Sequence, residues 1–377
     1  MKKLVFFFLV VAFGCQQPAP KDSVPYTRAD FETTIQGKQT ELYTLTNSNG
    51  MRVDLTNFGA KIVAVFVPDK NGELDDVVQG FKSVKAYQKG QKQYGAVIGP
   101  YANRIGNAQF EIAGQVYHLD SADHGNCLHS GPDSFDRQVY SAKKIDTANG
   151  EAVVMHLHRN DGDSGFPGNK DFQITYTLTN ANELKLDYQA TTDKACPFNL
   201  TNHSYFNLHG ESKGTILDHE VMIDADSTTE VDAELIPTGK IISIRGTDMD
   251  FTTSHTIRER INSDFEPIKL AGGYDQNYIL NKDQHTGKMT FCASVYEPQS
   301  GRLMQIYTTE PAVQFYSGNF QDGTLEGKYG RKFYKNSGLC METQHYPDSP
   351  NHPKFPTTIL LPGDTLHSTT IFKFSVK

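Results

Sequence analysis

Tryptophan is missing altogether from this 377-residue chain, and its five cysteines never fall in the C-x-x-C spacing typical of zinc or dithiol sites. A phosphate-binding P-loop, a dinucleotide fingerprint and an H-E-x-x-H helix are also missing, so the sequence offers no motif for phosphoryl transfer, hydride transfer or zinc proteolysis. No cofactor and no metal are expected. Basic residues do not cluster beyond Lys2-Lys3. With 36 Lys and Arg against 44 Asp and Glu, the net charge is −8, and the electrostatic footprint of a nucleic-acid binder is not there. Helical periodicity is scarce as well, confined to "SVKAY" at 83–87 and "TIRERI" at 256–261, each long enough for a short turn only.

The one extended apolar run, Leu4 to Phe13, is too short to cross a bilayer. Behind the basic Lys2-Lys3 it has the layout of a secretory signal, expected over residues 1–14. "AFGC" resembles a bacterial lipoprotein lipobox, with Phe13 departing from the small residue usual there, and makes Cys15 the candidate lipidation site. A lipidated N-terminus and flexible tether are expected over 15–35, since "QQPAPKDSVP" is polar and proline-rich. The expected location is the cell envelope, periplasmic or anchored to the outer membrane, with membrane contact only through that lipid. Export permits disulfides among Cys127, Cys196, Cys292 and Cys340 without requiring them.

From residue 36 to 377 the chain reads as one domain, strand after strand. Asn49-Gly50 in "ELYTLTNSNGMRVDLTNFG" predicts a tight two-residue hairpin turn, because both positions tolerate positive φ. "AQFEIAGQVYHLD" and "FQITYTLTNANELKLDYQA" predict two more hairpins. In the second, Ile174, Tyr176 and Leu178 alternate with polar residues, and Leu184, Leu186 and Tyr188 do so on the return, the mark of half-buried antiparallel strands. The fold class expected is all-β, a large antiparallel β-sandwich.

Several stretches break this alternation with clustered polar residues and glycines, where ligand groups on a rigid scaffold concentrate. They are "ANRI" with Asn103 and Arg104, "LHSG" with His129, "NLTNHSYFNL" with His203, "GYDQNYIL" with Asp275, "VQFYSGN" with Gln314, and "METQHYPDSPNHPKFP" with Glu342 at a strand end. Taken singly, Arg104 reads as an ion-pairing residue, Asp275 as a turn former, Gln314 as a strand hydrogen-bonder and His203 as a buried, bonded core residue. His156 and His158 in "VVMHLHR" share the polar face of a strand and read as solvated rather than metal-binding.

In this order the six motifs resemble the aldose 1-epimerase, or galactose mutarotase, family from about residue 36 to the C-terminus. The resemblance implies a supersandwich of the galactose mutarotase type, with an open cleft across one sheet. The implied reaction interconverts the α and β anomers of aldohexoses such as glucose and galactose. Position by position, it makes Glu342 the catalytic base and His203 the catalytic acid. It makes Asn103, Arg104, His129, Asp275 and Gln314 the sugar-binding residues. Pro100, Ser130, Tyr140 and Tyr346 depart from the family's usual residues, while both proton-transfer residues are intact.

Mutarotation needs a base for the C1 hydroxyl proton and an acid for the ring oxygen. A glutamate base works better with its pKa raised by burial, and a histidine acid when carboxylates keep it protonated. With no tryptophan to lie under the sugar, tyrosine or phenylalanine must supply any aromatic platform, and Phe315 and Tyr205 are the candidates. Two other readings use the same residues: a glycosidase built on Asp275 and Glu342, and a non-catalytic sugar-binding lipoprotein. An epimerase of phosphorylated hexoses would want more basic residues than this acidic chain provides.

Overall fold

A computed structural model of the chain describes residues 24–90, 93–211, 213–283 and 287–377. The expected signal segment and Cys15 lie outside the described residues. Within them, alternating sequence becomes antiparallel sheet throughout, and helix is confined to short pieces, among them Val84–Gly90 and Ile257–Glu259 at the two places expected.

The largest sheet has nine strands. It runs from Ser141–Thr147 through Gly150–Arg159, Lys170–Thr179 and Glu183–Thr192 to the C-terminal strand Leu366–Val376. It continues through Arg302–Thr308, Thr290–Glu297 and Glu220–Ile223 to His255–Thr256. The hairpin at its centre shows why the pattern works: Ile174 pairs with Tyr188, Tyr176 with Leu186 and Leu178 with Leu184, and all six are buried. Cross-strand neighbours on one pleated face thus form a continuous apolar surface.

That surface packs into one core with residues from two further sheets. A four-stranded sheet, Leu42–Thr46 to Leu74–Asp76 in chain order, contributes Leu45, Val53, Leu55, Ile62 and Val65. A five-stranded sheet is ordered Pro237–Ser243, Ala225–Val231, Asp275–Leu280, Ala312–Tyr316, Cys340–Gln344 and contributes Tyr278, Val313, Phe315 and Met341. The molecule is an all-β antiparallel sandwich without a closed barrel. Cys127, Cys196, Cys292 and Cys340 are buried free thiols.

Two expectations need correction. The hairpin at Asn49-Gly50 exists, with Thr46 paired to Arg52, so five residues rather than two form the connection. Only Gly50 takes positive φ, at 82°, and Asn47 organises the loop by accepting the backbone N–H groups of Asn49 and Met51 on its side-chain oxygen, each at 3.0 Å. An Asx-type bond has taken the place of the paired left-handed residues of a two-residue turn. The flexible tether expected over 15–35 also stops short, because residues 24–35 pack onto the body. Phe31 is fully buried, and the Tyr26 hydroxyl donates to Asp54 Oδ2 at 2.6 Å. Tyr26 and Phe31 share a small aromatic core with Phe58, Phe81 and Tyr87. Replacing Phe31 with Ala is expected to cost about 3 kcal/mol of stability in urea unfolding, the scale for truncating a buried aromatic. An unchanged midpoint would show that the segment is tether after all.

Candidate active site

The five-stranded sheet places Asp275, Gln314 and Glu342 by parity. Along Cys340–Gln344, Met341 enters the main core, so Glu342 points to the other face. Across the ladder Glu342 is in register with Gln314, and Gln314 with Asn277. Asp275 opens its strand opposite Tyr316. Glu342 therefore sits at the centre of a rigid strand rather than at the strand end expected. The same parity corrects Phe315: one residue from Gln314, it faces the core and stacks on Tyr274 at 5.2 Å.

His203 arrives from another direction, as the last residue of the short strand Thr201–His203, which pairs with Ala96–Ile98. Its Nε2 lies 3.4 Å from Glu342 Oε1, and its Nδ1 lies 3.5 Å from the Cys340 thiol. The neighbouring loops lock together through backbone bonds. His129 N–H donates to the Asn103 carbonyl at 3.0 Å, and Asn103 N–H donates to His129 Nδ1 at 3.1 Å. Both residues hold positive φ, 63° for Asn103 and 52° for His129, a local strain of the kind that gathers at functional sites. Beside them, Ser130 accepts Tyr101 N–H at 2.8 Å and donates to the Tyr101 carbonyl at 2.9 Å.

All seven residues singled out in the sequence line one cleft: Asn103, Arg104, His129, His203, Asp275, Gln314 and Glu342. Tyr205 lines it too, as expected, stacked on Tyr94 at 4.4 Å and 5.0 Å from the His203 ring. Sequence reasoning missed Gln93, Leu128, Tyr316 and Phe320. Parity with Gln314 could have found Tyr316, and nothing in the local sequence marks the other three. Pro100, Ser130, Tyr140 and Tyr346 are buried and are not part of the cleft lining. A larger groove of about 610 Å³ runs over the outer face of the nine-stranded sheet, past the exposed His156 and His158. Size does not make it the site, because none of the seven residues reaches it.

Burial dominates the electrostatics. Glu342 and His203 are only 2% and 5% exposed, and taking a charge out of water favours the neutral form of each. Glu342 is raised well above the usual carboxylate range by burial and then by Asp275, against the opposing pull of Arg104. Burial lowers His203 to about 4. Glu342 thus moves in the direction expected of a general base, whereas His203, lowered by desolvation, does not meet the expectation of an imidazole kept protonated. Asp275 is raised by burial, moderated by Arg104 and by Gln314, whose Nε2 donates to Asp275 Oδ1 at 2.7 Å. Arg104 pairs through Nε with Asp123 Oδ2 at 2.8 Å. Glu342 Oε2 and Gln314 Oε1 have no hydrogen-bond partner among the described residues, leaving acceptors for sugar hydroxyls.

His129, His203 and Glu342 each offer a donor atom within 4.8 Å of the others, close enough in principle for a metal ion. His129 does not fit that role. Its Nδ1 accepts a backbone N–H, which places the ring proton of the neutral imidazole on Nε2, where a metal would need a lone pair. His129 instead presents an N–H donor, and burial, then His203 and Arg104, push its pKa well below the ordinary histidine value.

The aldose 1-epimerase family model matches residues 41–373. A human galactose mutarotase is 42% identical over 353 residues, covering 93% of this chain and 98% of that protein. An aldose 1-epimerase of Escherichia coli is 37% identical over 341 residues, covering 90% and 96%. The chain belongs to the aldose 1-epimerase family. The crystal structure of a galactose 1-epimerase from Lactobacillus acidophilus superposes with a TM-score of 0.81 at 27% identity, covering 91% of this chain and 97% of that one. The family's fold and the six ordered motifs thus meet in one cleft. In ¹⁵N-resolved imidazole spectra at neutral pH, His129 is expected as the Nε2–H tautomer. A predominant Nδ1–H signal would contradict the assignment and reopen the site to a metal.

Proposed function

We propose that this protein is a mutarotase, interconverting the α and β anomers of aldohexoses by acid-base opening and closing of the pyranose ring. The observation that carries the reading is the buried Glu342–His203 contact of 3.4 Å within a cleft whose other polar groups suit sugar hydroxyls. Galactose and glucose are the natural substrates to test, given the mutarotase names of the relatives.

In the reaction, the Glu342 carboxylate takes the C1 hydroxyl proton while protonated His203 gives its proton to the ring oxygen. The C1–O5 bond breaks as the C1=O1 bond forms. Rotation about C1–C2 turns the other face of the aldehyde to the C5 hydroxyl, and the same transfers in reverse close the ring. Arg104 and the Nε2–H of His129 supply donors near the anomeric end, and Asp275 with Gln314 engages hydroxyls further along.

One proton suffices for the pair. Burial favours neutral Glu342 carrying that proton and neutral His203; moving it across the 3.4 Å gap gives carboxylate and imidazolium without changing the net charge. Ring opening then returns the pair to the protonation state that burial prefers, so the transfers run downhill as C1–O5 breaks. The working form is the singly protonated pair. It is lost below about pH 4, where His203 gains a second proton, and at high pH, where Glu342 finally ionises. The kcat/KM profile should therefore be flat through the weakly acid and neutral range, with its acid limb near 4. A limb near the ordinary histidine pKa would contradict this pairing.

Polarimetry of freshly dissolved α-D-galactose or α-D-glucose tests the function directly. Glu342→Gln and His203→Asn are each expected to lower kcat on the order of 10²–10⁴-fold, the usual contribution of a positioned acid or base. Wild-type rates equal to buffer with sugar still bound would make the protein a binding module. Release of an aglycone from aryl glycosides would make it a glycosidase.

We also infer export and lipid attachment at Cys15, on the N-terminal sequence alone. Failure of Cys15 to take up labelled palmitate in cells would remove that part.

A further inference from the structure

Phe320 is an unusual residue for its position. It is 55% exposed, among the most exposed large apolar side chains described, and it lies on the lining of the catalytic cleft. A lone exposed phenylalanine on a surface calls for no explanation. This one is held in place. Its ring lies nearly parallel to Tyr316, at 24° and 6.0 Å, and its backbone N–H donates to the Tyr316 hydroxyl at 2.9 Å. Tyr316 is buried and packs edge-on against His203 at 6.4 Å and Tyr205 at 6.0 Å. The aromatic row thus runs from the proton-transfer histidine out to the mouth of the cleft.

The row carries aromatic surface outward from His203 in two ring-to-ring steps, 6.4 Å to Tyr316 and 6.0 Å on to Phe320. A sugar whose anomeric end lies at His203 and Glu342 extends toward Phe320 with the end of its ring remote from C1. Polar groups on the five-stranded sheet take the hydroxyl edges. What they lack is an apolar surface for the C–H face, and the chain has no tryptophan to supply one. Tyr205 is largely occupied by its stack on Tyr94, and Tyr316 is nearly covered. Phe320 presents an open aromatic face joined to the cleft.

Resting on the mutarotase reading, we propose that Phe320, clamped by Tyr316, is the aromatic platform on which the C–H face of the aldopyranose stacks, and that it sets sugar affinity at this site. The interaction exists in the ground state as well as the transition state, so it acts mainly on KM. Losing one aromatic contact of this kind is worth up to about tenfold in affinity.

The test uses Phe320→Ala and Phe320→Tyr in the full mature chain. Being exposed, the site tolerates truncation without loss of the fold, which circular dichroism verifies. By polarimetry with galactose and glucose, Phe320→Ala should lower kcat/KM about tenfold, chiefly through KM, and Phe320→Tyr should restore most of it. In a Glu342→Gln background Phe320→Ala should weaken galactose binding and Phe320→Tyr should largely keep it, measured by saturation-transfer NMR without turnover. Unchanged sugar affinity in Phe320→Ala would overturn the proposal, as would a loss confined to kcat. So would an oligomer that dissociates in Phe320→Ala with sugar affinity intact, which would make Phe320 an interface residue. If wild-type protein binds galactose but does not interconvert its anomers, the mutarotase reading falls while the binding arm still decides the platform.

Discussion

Two titratable groups taken out of water side by side organise the chemistry of this molecule. Glu342 and His203 could not both remain charged at such burial without strong compensation, and the contact between them is longer than a tight ion pair. Burial pushes Glu342 up and His203 down, and on that basis the pair is expected to hold a single proton. Everything nearby is consistent with that arrangement: Arg104 partly offsets the carboxylates, Asp275 is steadied by Gln314, and burial favours neutral His129, whose Nδ1 accepts a backbone N–H and leaves the ring proton on Nε2.

The sandwich makes this placement possible. Glu342, Gln314 and Asp275 share a face of one sheet because strand parity and ladder register leave them no other direction. His203 and His129 come from separate segments, a short strand and a strained loop, and each is fixed by backbone bonds rather than by side-chain packing alone. The proposed acid and base act on two oxygens of one anomeric carbon and must keep their spacing to a fraction of an ångström, which the backbone ladders under both residues favour.

The sequence made much of this legible because polar clusters interrupt an otherwise regular alternation. The motifs around Asn103, His129, His203, Asp275, Gln314 and Glu342 break the texture, and the structure gathers every one of them into a single cleft. What could not be read were properties belonging to the assembly. Phe315 and Tyr316 are neighbours in "QFYS", and strand parity with Gln314 separates them, Phe315 to the core and Tyr316 to the cleft, once the face that carries Gln314 is known to line the site. Exposure of Phe320 depends on the turn after that strand. Residues 24–35 carry a tether's composition at their start, yet Tyr26 and Phe31 find an aromatic pocket with Phe58, Phe81 and Tyr87, supplied by a turn, a loop and a short helix later in the chain. The depressed pKa of His203 is likewise a product of burial by distant segments, with no signature in "TNHSYF".

The protonation state of Glu342 is the most direct test of this account. Infrared difference spectroscopy between wild type and Glu342→Gln, in the absence of sugar at neutral pH, reports the carboxyl C=O stretch of that one side chain. The account predicts a protonated carboxyl band that persists at neutral pH and disappears only well above the usual carboxylate range. A carboxylate signature that titrates like an exposed glutamate would contradict it.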